Sequence, residues 1–255
     1  MSFKRALGPF DATMVVIGGI IGSGIFINPY LVARALDTPA LVLLAWITGG
    51  LIALAGAFAY AELGQRMPQA GGQYVYLSRA WHPLVGFLYG WALIFMIETG
   101  AMAAVAIAFA QYALKLAGQP DTLVTVVAIA AIVVLSLVNH FGVTPGSRVL
   151  NVLVLLKMAA LAVIIALAFW GPSAPAWLSA GRVDDTPSGV VAFGAALIPI
   201  LFAYGGWQNA NYVAEEMKEP ERHLPRALIL GTAIVVLVYL SANVAYLRTL
   251  GLAGL

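Results

Sequence analysis

The 255-residue sequence contains no cysteine, few charged side chains and only three histidines. Without cysteine, these residues cannot form a disulfide, either internally or with a partner. His82, His140 and His223 are far apart in sequence and lack metal-ligand spacing, so we expect no metal site. A net charge of +2 without a basic run argues against nucleic acid as a ligand. No serine–histidine–aspartate or paired-carboxylate pattern indicates an enzyme, and nothing suggests a catalytic cofactor.

Long apolar runs dominate the sequence. Hydrophobic residues make up 62% of the chain and charged residues 9%, whereas soluble domains carry about 25% charged residues. Runs of about 20 apolar residues fit membrane-spanning helices, because barrel strands alternate over only about ten residues. The sequence therefore predicts an all-α integral membrane protein surrounded by lipid. The predicted spans are 12–35, 39–65, 84–114, 122–140, 148–170, 188–213 and 226–248.

Lysine and arginine divide unequally between the two sides of the predicted membrane. With the N-terminus inside, eight of the 13 lie on the cytoplasmic side and four outside, with Lys157 inside a span. Cytoplasmic loops are enriched in these residues, so we expect a multi-pass protein of the cell membrane with a cytoplasmic N-terminus. The inner set is Lys4, Arg5, Arg66, Arg79, Arg148, Lys218, Arg222 and Arg226, and the outer set is Arg34, Lys115, Arg182 and Arg248.

Glycine clusters interrupt two predicted spans near their middle. They are GGIIGSGIF at 18–26 and FAYGGW at 202–207. A glycine inside a helix costs about 1 kcal/mol relative to alanine. Unpaired backbone in hydrocarbon costs more, so a break persists only where protein or a cavity satisfies it. The helical rise per residue places both breaks near mid-membrane. Paired breaks of this kind indicate the substrate site of a transporter.

The first break offers two complementary sets of backbone groups. A half-helix that starts near Ser23 presents free N–H groups and a partial positive charge, which suit a carboxylate. The half-helix that ends near Ile20 presents unpaired carbonyls, which suit an ammonium group. A ligand that carries both groups is an α-amino acid. The alternative is that Gly18 and Gly22 form a packing face for a neighbouring helix.

At the second break, aromatic residues flank the glycines. Tyr204 and Trp207 could form a wall or a gate over the side chain of a bound ligand. An aromatic belt at the membrane interface is the alternative. Their predicted depth favours the wall or gate.

Two charged residues lie well inside predicted spans, away from their ends. Lys157 follows Arg148 by nine residues, so it requires a partner or a cavity, unless its long side chain reaches back to the inner surface. Glu98 is the only acidic residue well inside a span. It could pair with Lys157, line the substrate cavity or carry a proton, and the sequence leaves these three alternatives open.

Three segments carry a resemblance to a known family. They are GGIIGSGIF (18–26), GGQYVYLSRAWHPLVGFLYGW (71–91) and FAYGGWQNANYVAEEMKEPERHLPRA (202–227). They resemble the amino acid–polyamine–organocation superfamily, and the last is especially similar to its L-type amino acid transporter branch and bacterial relatives. The resemblance implies a LeuT-like fold of two inverted five-helix repeats. Residues 1–187 would form the first repeat and 188–255 the start of the second.

The resemblance also implies roles for individual residues. Ile20 would offer a carbonyl to the substrate ammonium, while Ser23 and Gly24 would offer amides to its carboxylate. The sixth helix would contribute carbonyls, with Trp207 lining the pocket. Lys157 matches a lysine thought to replace a sodium ion, so sodium independence is expected. The implied substrate-binding set is Ile20, Gly22, Ser23, Gly24 and Ile25 at the first break, and Phe202, Ala203, Tyr204, Gly205 and Trp207 at the second.

The sequence departs from the family pattern in three respects. It stops after seven predicted helices, whereas the family has ten core helices and usually two more. It lacks the cysteine that would join a heavy subunit, and Glu98 is acidic where a neutral residue is expected. We expect a sodium-independent amino acid transporter that works by alternating access, as an exchanger or a proton symporter. The alternative is a truncated, non-transporting fragment or a membrane subunit that requires a partner.

Overall fold

The structure is a computed structural model that describes residues 5–174 and 189–255. Within these ranges the secondary structure is helical apart from one parallel bridge between Leu7 and Met217, which confirms the predicted all-α class. A π-helical turn, Leu93–Glu98, joins the helix Pro83–Ala92 to the helix Thr99–Leu116. The helices are α1 (Pro9–Ile20), α2 (Gly24–Ala35), α3 (Pro39–Arg66), α4 (Gln73–Ala80), α5 (Pro83–Ala92), α6 (Thr99–Leu116), α7 (Val124–His140), α8 (Val143–Trp170), α9 (Val190–Tyr204) and α10 (Pro220–Gly254), with 3₁₀ segments at Asp121–Leu123 and Trp207–Glu216.

Six helical stretches in the described part of the chain are long and apolar enough to cross a bilayer. The pair α1 and α2, bent by 41° at the first glycine cluster, counts as a seventh if it is one span. The proposed boundary between repeats, at residues 187 and 188, lies outside the described residues. Lys4 and Arg182, which the charge count includes, also lie outside them. The division into two repeats therefore stays a prediction.

The buried core lies where α1, α2 and α3 meet α9 and α10. Its centre is an aromatic group formed by Trp46, Tyr204 and Tyr239, one from each of α3, α9 and α10, all at most 1% exposed. Their ring centroids lie 5.2 to 5.9 Å apart, within the range of favourable aromatic pairs. This group fixes the end of α9, where the second break begins, against α3 and α10.

The helices α5, α6 and α7 lie outside this core. Their large apolar side chains, such as Phe109 and Val126, face outward, as contact with lipid permits. The two helices α6 and α7 pack on each other through Ala106, Ala110 and Ala128. Small residues at a helix contact let the backbones approach closely. The long helix α8 returns to the core and packs on α1 and α10.

Candidate functional site

The first glycine cluster forms a true break between two helices. The helix α1 ends at Ile20 and α2 begins at Gly24, with Ser23 as its N-cap residue. Ile21 adopts an extended conformation, with φ −74° and ψ 94°. The carbonyls at the end of α1 therefore lose their helical partners, and the first amides of α2 have none within the helix. The ends of both half-helices face the space between them.

A lysine from α8 reaches this break. The ammonium nitrogen of Lys157 lies 2.6 Å from the carbonyl oxygen of Ile21, to which it donates, and 3.5 Å from that of Gly18. The side chain is half-buried. The ammonium is thus placed at the end of α1 and does not reach back to the inner surface. A positive charge there complements the negative end of the α1 dipole.

A tyrosine from α10 reaches the same break from another direction. The buried hydroxyl of Tyr239 donates a hydrogen bond of 3.1 Å to the carbonyl oxygen of Ile20. A carbonyl oxygen has two lone pairs, so this contact leaves one acceptor position on Ile20 for a ligand. Sequence reasoning missed Tyr239. The available signal was a hydroxyl near the end of an otherwise aliphatic run at 235–240.

The second glycine cluster also ends a helix. The helix α9 stops at Tyr204, Gly205 is extended, and Gly206 has φ +106°, a conformation that favours glycine. The chain then continues as the 3₁₀ segment Trp207–Glu216. The sequence predicted a helical span through residue 213. The α-helix ends earlier because the two glycines redirect the backbone, and a 3₁₀ helix follows them.

The two breaks touch through their glycines. A Cβ atom added to Gly19 would lie 2.6 Å from the carbonyl oxygen of Gly206, and one added to Gly206 would collide with the carbonyl of Gly19. A Cβ atom on Gly24 would lie 3.0 Å from Ala203. Backbone meets backbone at these points, which only small residues allow. The structure therefore brings the two breaks together at Gly19 and Gly206 and at Gly24 and Ala203.

The other predicted residues of the first break differ in their surroundings. Ile25 is fully buried in the core, so its side chain packs against protein. Gly22 has open space around it, with no atom within 4 Å of a Cβ built there. Ser23 is half-buried, and its carbonyl accepts hydrogen bonds from the amides of Phe26 and Ile27.

The predicted residues at the end of α9 also differ in how far their side chains are buried. Ala203 and Tyr204 are buried, and the hydroxyl of Tyr204 has no hydrogen-bond partner among the described residues. The side chain of Phe202 is 78% exposed and points away from the core. The carbonyl of Phe202 accepts a 3.2 Å hydrogen bond from the amide of Gly205, so one of its two acceptor positions is used at the helix end.

Trp207 directly follows the second break and packs against α3. Its ring packs edge-on against Tyr60, with the centroids 4.9 Å apart. It also lies over Gly56, where a Cβ atom would approach the indole to 2.7 Å. An aromatic residue held by α3 therefore begins the 3₁₀ segment immediately beyond the glycines.

Glu98 lies at the end of the π-helical turn and is half-buried. No ion pair joins Glu98 to Lys157 in the part of the chain that the structure describes. Single π-helical turns frequently occur at functional sites. The cavity-lining and proton-carrying roles of Glu98 stay predictions.

Comparison with known proteins gives a consistent result. The family model for amino acid permeases matches residues 7–255. The b(0,+)-type amino acid transporter 1 of Mus musculus is 33% identical, over 96% of this chain and 51% of the relative. The Large neutral amino acids transporter small subunit 2 of Homo sapiens is 34% identical, over 98% of this chain and 48% of the relative. The Serine/threonine exchanger SteT of Bacillus subtilis (strain 168) is 34% identical, over 97% of this chain and 56% of the relative. The chain thus spans about half the length of the curated relatives that it matches.

Proposed function

The chain belongs to the amino acid permease family, and from this premise we propose that it binds an α-amino acid between its two helix breaks. Membership in this family makes it a multi-pass membrane protein of a transporter family and not an enzyme. The activity that we propose is amino acid transport by alternating access, in which the two breaks face each side of the membrane in turn. We place the protein in the cell membrane with its N-terminus in the cytoplasm, on the distribution of lysine and arginine.

The contact between Gly19 and Gly206 carries this proposal. It brings the carbonyl end of α1, the amide end of α2 and the carbonyl end of α9 to one place. In a free α-amino acid, the ammonium group and the carboxylate are bonded to the same carbon atom, so the two groups are close together. The carbonyl of Ile20 suits the ammonium group, and the amides of Ser23 and Gly24 suit the carboxylate. The side chain of the amino acid would then lie towards Trp207.

Lys157 supports transport without sodium. Its ammonium group donates to the carbonyl of Ile21, so a fixed positive charge already occupies the negative end of α1. A sodium ion bound to the same carbonyls would be repelled by this charge. Exchange is the mode that we propose, since one relative is named as an exchanger. Proton symport is the second candidate, because Glu98 is a carboxyl group inside a predicted span and forms no ion pair with any residue in 5–174 or 189–255.

Binding is the measurement that tests this function. The purified chain in lipid nanodiscs should bind radiolabelled threonine or leucine equally well in sodium and in choline buffer. Unlabelled amino acid should displace the label, whereas the corresponding decarboxylated amine and deaminated acid should compete poorly, because each lacks one of the two groups. A simple amine that competes as well as its parent amino acid would contradict the α-amino acid site. Uptake into proteoliposomes is the second measurement.

A further inference from the structure

A single glutamine side chain joins four elements near the second break. The amide nitrogen of Gln73 donates a 2.5 Å hydrogen bond to the hydroxyl of Tyr60 on α3. Its amide oxygen accepts from the hydroxyl of Tyr212 on the 3₁₀ segment at 2.9 Å, and also from the hydroxyl of Tyr89 on α5. The two hydroxyls of Tyr89 and Tyr212 lie 2.7 Å apart. We call these four residues the Gln73 cluster.

Other contacts tie the same two segments together beside the cluster. The hydroxyl of Tyr76 on α4 donates a 2.9 Å hydrogen bond to the side-chain oxygen of Asn211, and this contact is buried. Burial, and secondarily the neighbouring Tyr60, raise the pKa of Tyr76 to about 12, so it remains a protonated donor at neutral pH. The amide of Ala70 donates to the carboxylate of Glu215 at 3.2 Å. The short helix α4 and the turn before it are therefore fastened along the 3₁₀ segment.

The cluster is one contact away from the candidate site. The 3₁₀ segment begins at Trp207, directly after Gly206, and Trp207 packs on the ring of Tyr60. Tyr60 in turn accepts the hydrogen bond of Gln73. Tyr60 thus links Gln73 on α4 to Trp207, the residue that follows the second break.

A cavity of about 530 Å³ borders the cluster. Gln73, Tyr60 and Tyr89 form its polar wall, and Leu63, Met67 and Leu77 form its apolar wall. Arg79, one of the residues that the charge distribution assigns to the cytoplasmic side, also lines it. This volume is large enough for several water molecules, because one occupies about 30 Å³ of liquid. Tyr60 lines this cavity and also packs on Trp207, so the cluster borders both the cavity and the residue that follows the second break.

We propose that Gln73 is a positioning residue that holds the 3₁₀ segment against α3, α4 and α5, and that the Gln73 cluster closes the route from the breaks to the cytoplasmic cavity. Separation of the cluster opens this route. This closure rests on the proposed function in one respect only: the proposed function identifies an amino acid as the molecule that passes when the route is open. The side chains of the cluster act through Trp207 and are not ligands of the substrate.

The absence of cysteine allows a direct test in the chain itself. Ser23→Cys places a single thiol at the first break, and a membrane-impermeant maleimide added to vesicles with the cytoplasmic face outward reports its accessibility. In this background, Gln73→Leu removes both the hydrogen-bond donor and the acceptor of the side-chain amide. Tyr212→Phe removes one hydroxyl without changing the ring. We expect the labelling rate to rise about tenfold in Gln73→Leu and about threefold in Tyr212→Phe, in keeping with the hydrogen bonds lost.

Two matched variants control for general loosening. Tyr74→Phe removes a tyrosine hydroxyl from the same helix, α4, and Gln65→Leu removes an exposed glutamine from α3. Neither side chain has a hydrogen-bond partner within residues 5–174 and 189–255. Both variants should label at the rate of the Ser23→Cys parent. An equal increase in these controls would overturn the assignment to Gln73.

The double variant Gln73→Leu with Tyr212→Phe separates a shared closure from two independent structural effects. If the two residues act through one hydrogen bond, the double variant labels no faster than Gln73→Leu alone. A rate equal to the product of the two single effects would overturn the proposal, as would unchanged labelling in both single variants. If Gln73→Leu fails to fold, Tyr212→Phe and Tyr89→Phe decide the matter, because both keep the packing of the ring. The measurement requires no substrate, so a chain that binds no amino acid would still show or lack this closure.

Discussion

Lys157 and Tyr239 donate hydrogen bonds to adjacent carbonyl groups from two different helices. The ammonium group of Lys157, on α8, binds the carbonyl of Ile21, and the hydroxyl of Tyr239, on α10, binds that of Ile20. Both carbonyls lack a hydrogen-bond donor within the helix, because α1 ends at this point. Side chains of the protein thus provide hydrogen bonds to part of the exposed backbone. The remaining acceptor positions are the ones that the proposed ligand would use. This arrangement stabilises the break in the absence of an ion and leads to the first two predictions.

Replacing Lys157 by alanine should strongly reduce amino acid binding. The change removes a positive charge and leaves the carbonyl of Ile21 without its donor, so a loss of about 3 kcal/mol, roughly a hundredfold in affinity, is expected. Binding in nanodiscs, with and without sodium, measures this loss. Lys115→Ala, at the exposed end of α6, is the matched control and should bind as the wild type does. Full sodium-independent binding by Lys157→Ala would show that the ammonium group has no role at the break.

Replacing Tyr239 by phenylalanine should have a smaller effect. The ring stays in the aromatic group with Trp46 and Tyr204, and only the hydrogen bond to Ile20 is lost. A loss of about 1 kcal/mol, roughly fivefold in affinity, follows from the usual net value of one hydrogen bond. Tyr246→Phe removes a hydroxyl from the same helix and should leave affinity unchanged. Equal affinities for all three proteins would mean that the carbonyl of Ile20 needs no orientation by Tyr239.

The glycines of the two breaks should differ sharply in their tolerance of alanine. Gly206 combines φ +106° with backbone contact to Gly19, so Gly206→Ala should destabilise the protein by about 2 kcal/mol or more. Gly22 has open space around it, so Gly22→Ala should be nearly neutral in stability. Thermal unfolding in detergent, followed by tryptophan fluorescence, compares the two variants with the wild type. Similar melting temperatures for both variants would contradict the close approach of the two breaks.

The amides at the start of α2 provide a further test of the site. If backbone N–H groups hold the carboxylate, Ser23→Ala should change amino acid affinity less than about threefold, because the amide remains. Gly24→Leu should abolish binding, since a Cβ atom there already lies 3.0 Å from Ala203 and a longer side chain would push the breaks apart. Binding of radiolabelled amino acid to both variants decides the matter. Retained binding by Gly24→Leu would exclude the carboxylate site at this helix end.

The sequence predicted the features that depend on short stretches of chain. The glycines around Ile21 predicted that one helix ends near Ile20 and another begins near Ser23, because helix propensity and unpaired backbone are local properties. The apolar runs predicted the all-α class for the same reason. The glycines at 205 and 206 also indicated a break, although the 3₁₀ geometry after it could not be foreseen.

The interactions that hold the site together could not be predicted in this way. The bond from Tyr239 to Ile20 joins residues 219 positions apart, and that from Tyr212 to Gln73 joins residues 139 apart. No periodicity records such contacts, because they depend on how whole helices pack. The outward direction of Phe202 is of the same kind. A family pattern assigned that residue to the site through its carbonyl, but the direction of its side chain follows from the face that α9 presents to the core.

Glu98 distinguishes exchange from proton symport. If the protein exchanges amino acids, uptake into proteoliposomes requires internal amino acid, ignores an imposed pH gradient, and changes less than about twofold in Glu98→Gln, since no carried proton is lost. Glutamine keeps the shape of the side chain and removes its charge. Glu62→Gln, at an exposed position on α3, is the matched control. Accumulation that an inward proton gradient drives in the wild type, and that Glu98→Gln alone abolishes, would replace exchange by proton symport and make Glu98 the group that carries the proton.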